Sequence, residues 1–184
     1  EKYEEHLNTM GERNSYSKTD SDATFMRMKE DAMKNGQLKP AYNVQISTEN
    51  QIITNYGIYQ RPGDTATLIP YLKTFEQRYG VHSETIVADS GYGSVQNYEY
   101  MIDNNMTPFV KFNMFHVENK SKFKNNPFLP QNLYYDKEGN YLVCPMGQKI
   151  KFIGRKKNVS DMGYVSYLDV YQAQNCKGCN IRVL

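Results

Sequence analysis

No run in the 184 residues approaches the ~20 consecutive apolar positions that a membrane-spanning helix requires. The opening EKYEEHLNTMGERN has neither the basic start nor the apolar centre of a secretory signal. Cysteine is scarce, with three in the chain, which favours thiols or metal ligands over disulfide partners. These absences predict a soluble, intracellular protein with no membrane partner. The length supports one main core and a small second module, not two full domains. Tyr3, Leu7 and Met10 share one helical face that stops at Gly11, and no cap precedes them. This predicts the last turns of a longer helix and a chain that begins inside a larger protein.

The formal net charge of +2 conceals a division along the chain. Residues 1–118 carry 11 Lys or Arg against 16 Asp or Glu, net −5, whereas residues 119–184 carry 11 against 4, net +7. A basic, Tyr-rich tail on an acidic body predicts a surface for polyanions.

The stretch TIVADSGYGS, Thr85 to Ser94, organises the rest. Ile86, Val87 and Ala88 predict a buried strand with Asp89 at its carboxyl end, followed by a glycine-rich turn and Ser94 as the N-cap of a helix. Val95, Tyr98, Met101 and Ile102 recur at helical steps. Carboxyl ends of strands are where α/β sheets collect ligands, so Asp89 is placed either to reach a metal or phosphate or to cap its own turn.

Before it, Asn14 to Pro40 reads as a long ordered loop in which Asp20 and Asp22 fit turn acids as well as metal ligands. Alternation from Tyr42 to Ser47 and from Ile52 to Ile58 predicts a β-hairpin. After Arg61-Pro62-Gly63-Asp64, Leu68, Leu72, Phe75 and Tyr79 predict a helix ending at Gly80 with Pro70 in its first turn. Thr107 to Phe112 is a further strand. The order strand, strand, helix, strand, helix, strand predicts an α/β fold, a mixed sheet covered by helices. Beyond it come short strands: Tyr134-Tyr135, Tyr141 to Cys144, Lys149 to Ile153 and Tyr164 to Tyr171. Cys144, Cys176 and Cys179 have the spacing of a zinc ribbon that lacks one ligand. His116 or a residue past Leu184 completes it, or the three are ordinary thiols.

Ser17 to Phe25 (SKTDSDATF), Met28 to Asn35 (MKEDAMKN), Leu38 to Ile46 (LKPAYNVQI), Ala88 to Ser94 (ADSGYGS) with Asn97-Tyr98, and Phe109-Val110-Lys111 together resemble the bacterial insertion-sequence transposases of the DDE class. The resemblance implies a ribonuclease H-like mixed sheet flanked by helices in a partial catalytic core at residues 1–118. A small β-rich, Cys-containing insertion then occupies 119–184. It implies three acids holding two Mg2+ or Mn2+ ions for cleavage and transfer of DNA strands at insertion-sequence ends, with Asp89 matching the second acid. The first acid precedes Glu1 and the third, a glutamate, follows Leu184, so the chain alone is expected to be inactive. Double-stranded DNA is the implied partner, held through phosphates by Lys149, Lys151, Arg155, Lys156 and Lys157. The longer protein is expected to be a cytoplasmic, nucleoid-associated bacterial protein and a homo-oligomer. The competing reading is a non-catalytic nucleic-acid-binding module with a zinc-ribbon-like tail.

Overall fold

Helix α2 (Leu68–Tyr79) is the hub of the first part of the chain, and its start is set by chemistry around Pro70. Proline fits the first turn because no amide donor is required there. Thr67 precedes the helix, with its N–H and Oγ1 both donating to the Asp64 carbonyl at 3.0 and 2.7 Å. Gly80 ends it at φ 71°, donating to the Glu76 carbonyl at 2.7 Å, a left-handed cap that suits glycine. The computed structural model describes residues 2–28, 32–176 and 179. Lys29–Asp31 of the MKEDAMKN stretch, and Lys177 and Gly178 between the last two cysteines, lie outside the described residues. The chain divides into two units, Glu1–Asn113 and Met114–Leu184.

In the first unit, α1 (Lys2–Met10) precedes β1 (Thr24–Arg27) and β2 (Leu38–Ala41), which pair antiparallel. The expected loop between Asn14 and Pro40 thus contains a ladder. Ser17, Ala23, Thr24 and Met26 are buried along it. Strands β3 (Asn43–Glu49) and β4 (Ile52–Tyr59) form the expected hairpin around Asn50 and Gln51, both at positive φ. Strand β5 (Thr85–Ala88) runs through α3 (Val95–Asp103) to the parallel strand β6 (Thr107–Val110). No ladder joins these pairs among the described residues. The strand order therefore gives an α/β unit of three two-stranded ladders, not the single mixed sheet expected.

The core is Leu68 and Leu72 of α2 with Met101 and Met106, against which Ile86, Tyr92, Tyr98, Tyr100 and Val110 pack. Burial of each such aliphatic side chain stabilises the unit by about 1.5–3 kcal/mol. Two expected core residues of α3, Val95 and Ile102, are exposed, because Asn97 and Met101 occupy the inward face. The hairpin is inverted in the same sense. Gln45 and Asn55 are buried, while Val44, Ile46, Tyr56 and Ile58 on the opposite face are 54–61% exposed. Tyr71 holds the polar face, its hydroxyl donating to the Asn55 carbonyl at 2.8 Å and lying 2.7 Å from Ser47 Oγ, whose own proton it can accept.

The second unit contains two single-turn helices, α4 (Phe115–Glu118) and α5 (Ser121–Lys124), and an antiparallel sheet. The sheet is a meander of β7 (Tyr134–Asp136), β8 (Tyr141–Val143), β9 (Lys149–Val159) and β10 (Val165–Ala173). Its long ladder carries a bulge at Val170/Tyr171. No described residue of this unit is fully buried. Aromatic edges at Tyr135, Phe152 and Tyr171 supply the packing.

Candidate active site

Asp89 stands immediately after β5, at the carboxyl end of a parallel pair, and is exposed. Its Oδ1 accepts the Gly91 N–H at 2.7 Å and so caps the single 3-10 turn Ser90–Tyr92. Ser94 then caps α3 by accepting the Asn97 N–H at 3.1 Å. Between the two caps, Gly93 is required by space. A Cβ there would lie 2.5 Å from the Lys111 carbonyl oxygen and 2.9 Å from Phe112 Cα, both backbone atoms that cannot swing aside. The turn is thereby pressed against the chain leaving β6.

A second acid converges on this turn. Asp64, in the loop before α2, accepts the Asn43 Nδ2 amide at 2.8 Å and the Gln45 Nε2 amide at 3.1 Å, both on Oδ1. Gln45 also donates to Asn43 Oδ1 at 2.7 Å and receives the Tyr92 hydroxyl at Oε1. A Cβ built on Gly91 would meet Asp89 Oδ1 at 2.9 Å and Asp64 Oδ2 at 3.2 Å, so both carboxylates crowd the same side of Gly91. Neither Oδ2 accepts a hydrogen bond from a described residue.

Two further contacts bolt the Asp64 loop to the Asp89 turn. Thr65 Oγ1 donates to the Gly91 carbonyl at 2.7 Å. The Asn97 amide, 1% exposed, donates to the carbonyls of Thr65 at 2.9 Å and Tyr92 at 2.7 Å. Tyr92 reports the local field. Burial, and then the charges of Asp64 and Asp89, push its hydroxyl pKa from 10.0 up to about 12.

Sequence reasoning placed Asp89, Ser94 and the glycines and missed Asp64, which it read as part of a turn. The available signal was Asn43, Gln45 and Ser47 at alternate positions opposite an apolar face, a set of side chains that needs polar partners if that face is buried. Asp20 is held elsewhere. It accepts the Tyr42 hydroxyl at 2.9 Å on each oxygen and the Asp22 N–H at 3.2 Å, the pattern of a turn acid.

In the second unit, Lys149, Lys151, Arg155, Lys156 and Lys157 all lie on β9 and are exposed. Alternation sends Arg155 and Lys157 to one face and Lys156 to the other. Arg155 is paired with Asp169 at 2.7 Å, and Lys149 sits over the Tyr141 ring at 4.2 Å from its centroid. Cys144 opens a tight turn in which its Sγ accepts the Gln148 N–H at 3.4 Å, and Cys176 and Cys179 follow β10. Among the described residues, no three or more His, Cys, Asp or Glu side chains gather to hold a metal ion. No described helix is long and apolar enough to cross a membrane.

Comparison with curated proteins and with solved structures finds no match. The family model described as Transposase DDE domain matches residues 13–177, spanning the Asp64 loop, the Asp89 turn and the basic strand. By that match over most of its length, the chain belongs to the transposase DDE domain family.

Proposed function

We propose that this chain is part of the catalytic domain of a DNA transposase that cleaves and transfers DNA strands at insertion-sequence ends. The observation that carries the reading is Asp89. It is an exposed carboxylate at the carboxyl end of a parallel strand, in a chain matched to the family from 13 to 177. Asp89 is the second of three acids in this reading. In this reading the first belongs to a strand before Glu1, the third to a helix after Leu184, and the added strand joins the three ladders of residues 1–118 into a ribonuclease H-like sheet.

Divalent cations, Mg2+ or Mn2+, supply activation of the attacking oxygen and stabilisation of the leaving one. The residues present fit such a cation. Asp89 and Asp64 both bring carboxylate oxygens towards Gly91, and these are the hard donors such ions select. Asp89 holds its share of the site through a turn fixed by its own hydrogen bond and by Gly93. Exposed basic residues on β9 in the 119–184 insertion hold double-stranded DNA through phosphates.

Two acids do not hold two cations against their hydration shells, so the 184-residue chain is expected not to cleave insertion-end DNA with Mg2+ or Mn2+. In the protein extended on both sides, cleavage is expected, and Asp89→Asn removes it with DNA binding retained. Metal-dependent cleavage by the 184-residue chain that disappears in Asp89→Ala would overturn the three-acid assignment.

A further inference from the structure

We infer that Asn97, acting with Thr65, is a positioning residue that fixes the turn after Asp89 in the DNA-free protein, so that the Asp89 carboxylate is presented in one place. This inference rests on the proposed reading of Asp89 and adds to it two side chains that act through that acid. Asn97 is the third residue of α3 and is 1% exposed. Its side-chain amide donates to the carbonyls of Tyr92 at 2.7 Å and Thr65 at 2.9 Å. Thr65 Oγ1 in turn donates to the Gly91 carbonyl at 2.7 Å. Two successive carbonyls of the turn, Gly91 and Tyr92, are thus held from outside it.

Helix α3 has no need of this amide for itself. Ser94 already caps its first turn by accepting the Asn97 N–H at 3.1 Å, and both side-chain bonds of Asn97 leave the helix for carbonyls of the preceding loops. The anchor those bonds reach is stiff. Thr67, fully buried, ties the loop of Thr65 to the start of α2 by donating its N–H and Oγ1 to the Asp64 carbonyl at 3.0 and 2.7 Å. At the other end of the turn, Gly93 is pressed against the chain leaving β6. Ser90-Gly91-Tyr92-Gly93 left to itself would sample many backbone states, because its glycines impose few limits. Gripped at consecutive carbonyls, it keeps one. A carboxylate held in this way needs no ordering at the moment of reaction, whereas a misplacement of about 1 Å costs on the order of a hundredfold in rate.

The amide-proton NMR signal of Gly91, whose N–H is bound to Asp89 Oδ1 at 2.7 Å, reports the state of the turn in the 184-residue chain. Asn97→Ala and Thr65→Val are each expected to broaden that signal or move it towards its unfolded position. Thr65→Ser, which keeps the hydroxyl, is expected to leave it in place. In the protein extended on both sides, Asn97→Ala and Thr65→Val are expected to lower the turnover of DNA cleavage by about ten- to a hundredfold, with DNA affinity unchanged and turnover retained in Thr65→Ser. Asn104→Ala is the control for stability alone, since it removes an amide that donates to the Tyr100 carbonyl at 2.7 Å at the far end of α3. It is expected to leave both readouts unchanged. Thermal melting identifies the variants that fold, and the exposed Thr65 decides should Asn97→Ala prove unstable. An unmoved Gly91 signal or full turnover in either variant once folded, or an equal loss in Asn104→Ala, overturns the inference and leaves the reading of Asp89 standing. Cleavage that survives Asp89→Asn overturns that reading and the inference with it.

Discussion

Tyr92 connects the acids to the rest of the unit, because its ring lies on the core and its hydroxyl donates to Gln45, the residue that grips Asp64. Its pKa of about 12 in the folded chain exceeds the 10.0 of the unfolded one. Below pH 10 both states carry the proton and the contribution is complete. Above it the unfolded chain releases the proton first, so stability falls as pH rises from 10 to about 12. Tyr92→Phe is expected to flatten part of that decline, read as melting temperature against pH, because no phenol remains to ionise. At this scale the sequence was informative wherever function follows from neighbours in the chain. Asp89, Gly93 and Ser94 were each placed by strand-end, turn and cap chemistry. Asp64 was not, since its role depends on amides from a strand some 20 residues away, and no local pattern announces such a partnership.

The elements follow the same rule. Helix α2 was read to start around Thr65 to Thr67 and runs from Leu68 to Tyr79, because the glycine fixes its end while the proline only bounds its start. Strand β9 was read as ending at Ile153 because Arg155-Lys156-Lys157-Asn158 has little intrinsic strand preference. It continues to Val159 because β10 offers Tyr167, Leu168 and Asp169 as cross-strand partners. The expected mixed sheet required ladders between pairs, and alternation says nothing about which strands become neighbours. The hairpin turn offers a direct test. Gln51 sits at φ 68° beside Asn50 at φ 49°, a conformation that asparagine tolerates and glutamine resists. Gln51→Gly is expected to stabilise the chain by a few tenths to about 1 kcal/mol in chemical denaturation.

Across the whole molecule, charge is the quantity that composition alone revealed. The proposed function reads the basic half as a DNA-facing part, with affinity dominated by phosphate contacts. For roughly six such contacts, binding is expected to weaken about a thousandfold between about 50 and 200 mM salt. Lys157→Ala is expected to lower the slope of log affinity against log salt by about 1, measured by fluorescence anisotropy. Affinity that is flat across that range would remove the electrostatic assignment. The acidic half holds a different consequence, in the inverted hairpin. Hydrophobic collapse on its own would dock this ribbon the other way up, with Val44, Ile46 and Ile58 against the helices and Asn43 and Gln45 in water. What selects the observed side is the set of polar partners on Asp64, Tyr71 and Tyr92. The ribbon's orientation therefore depends on α2 and on the turn following β5, so a change that loosens either one also loosens the grip on Asp64.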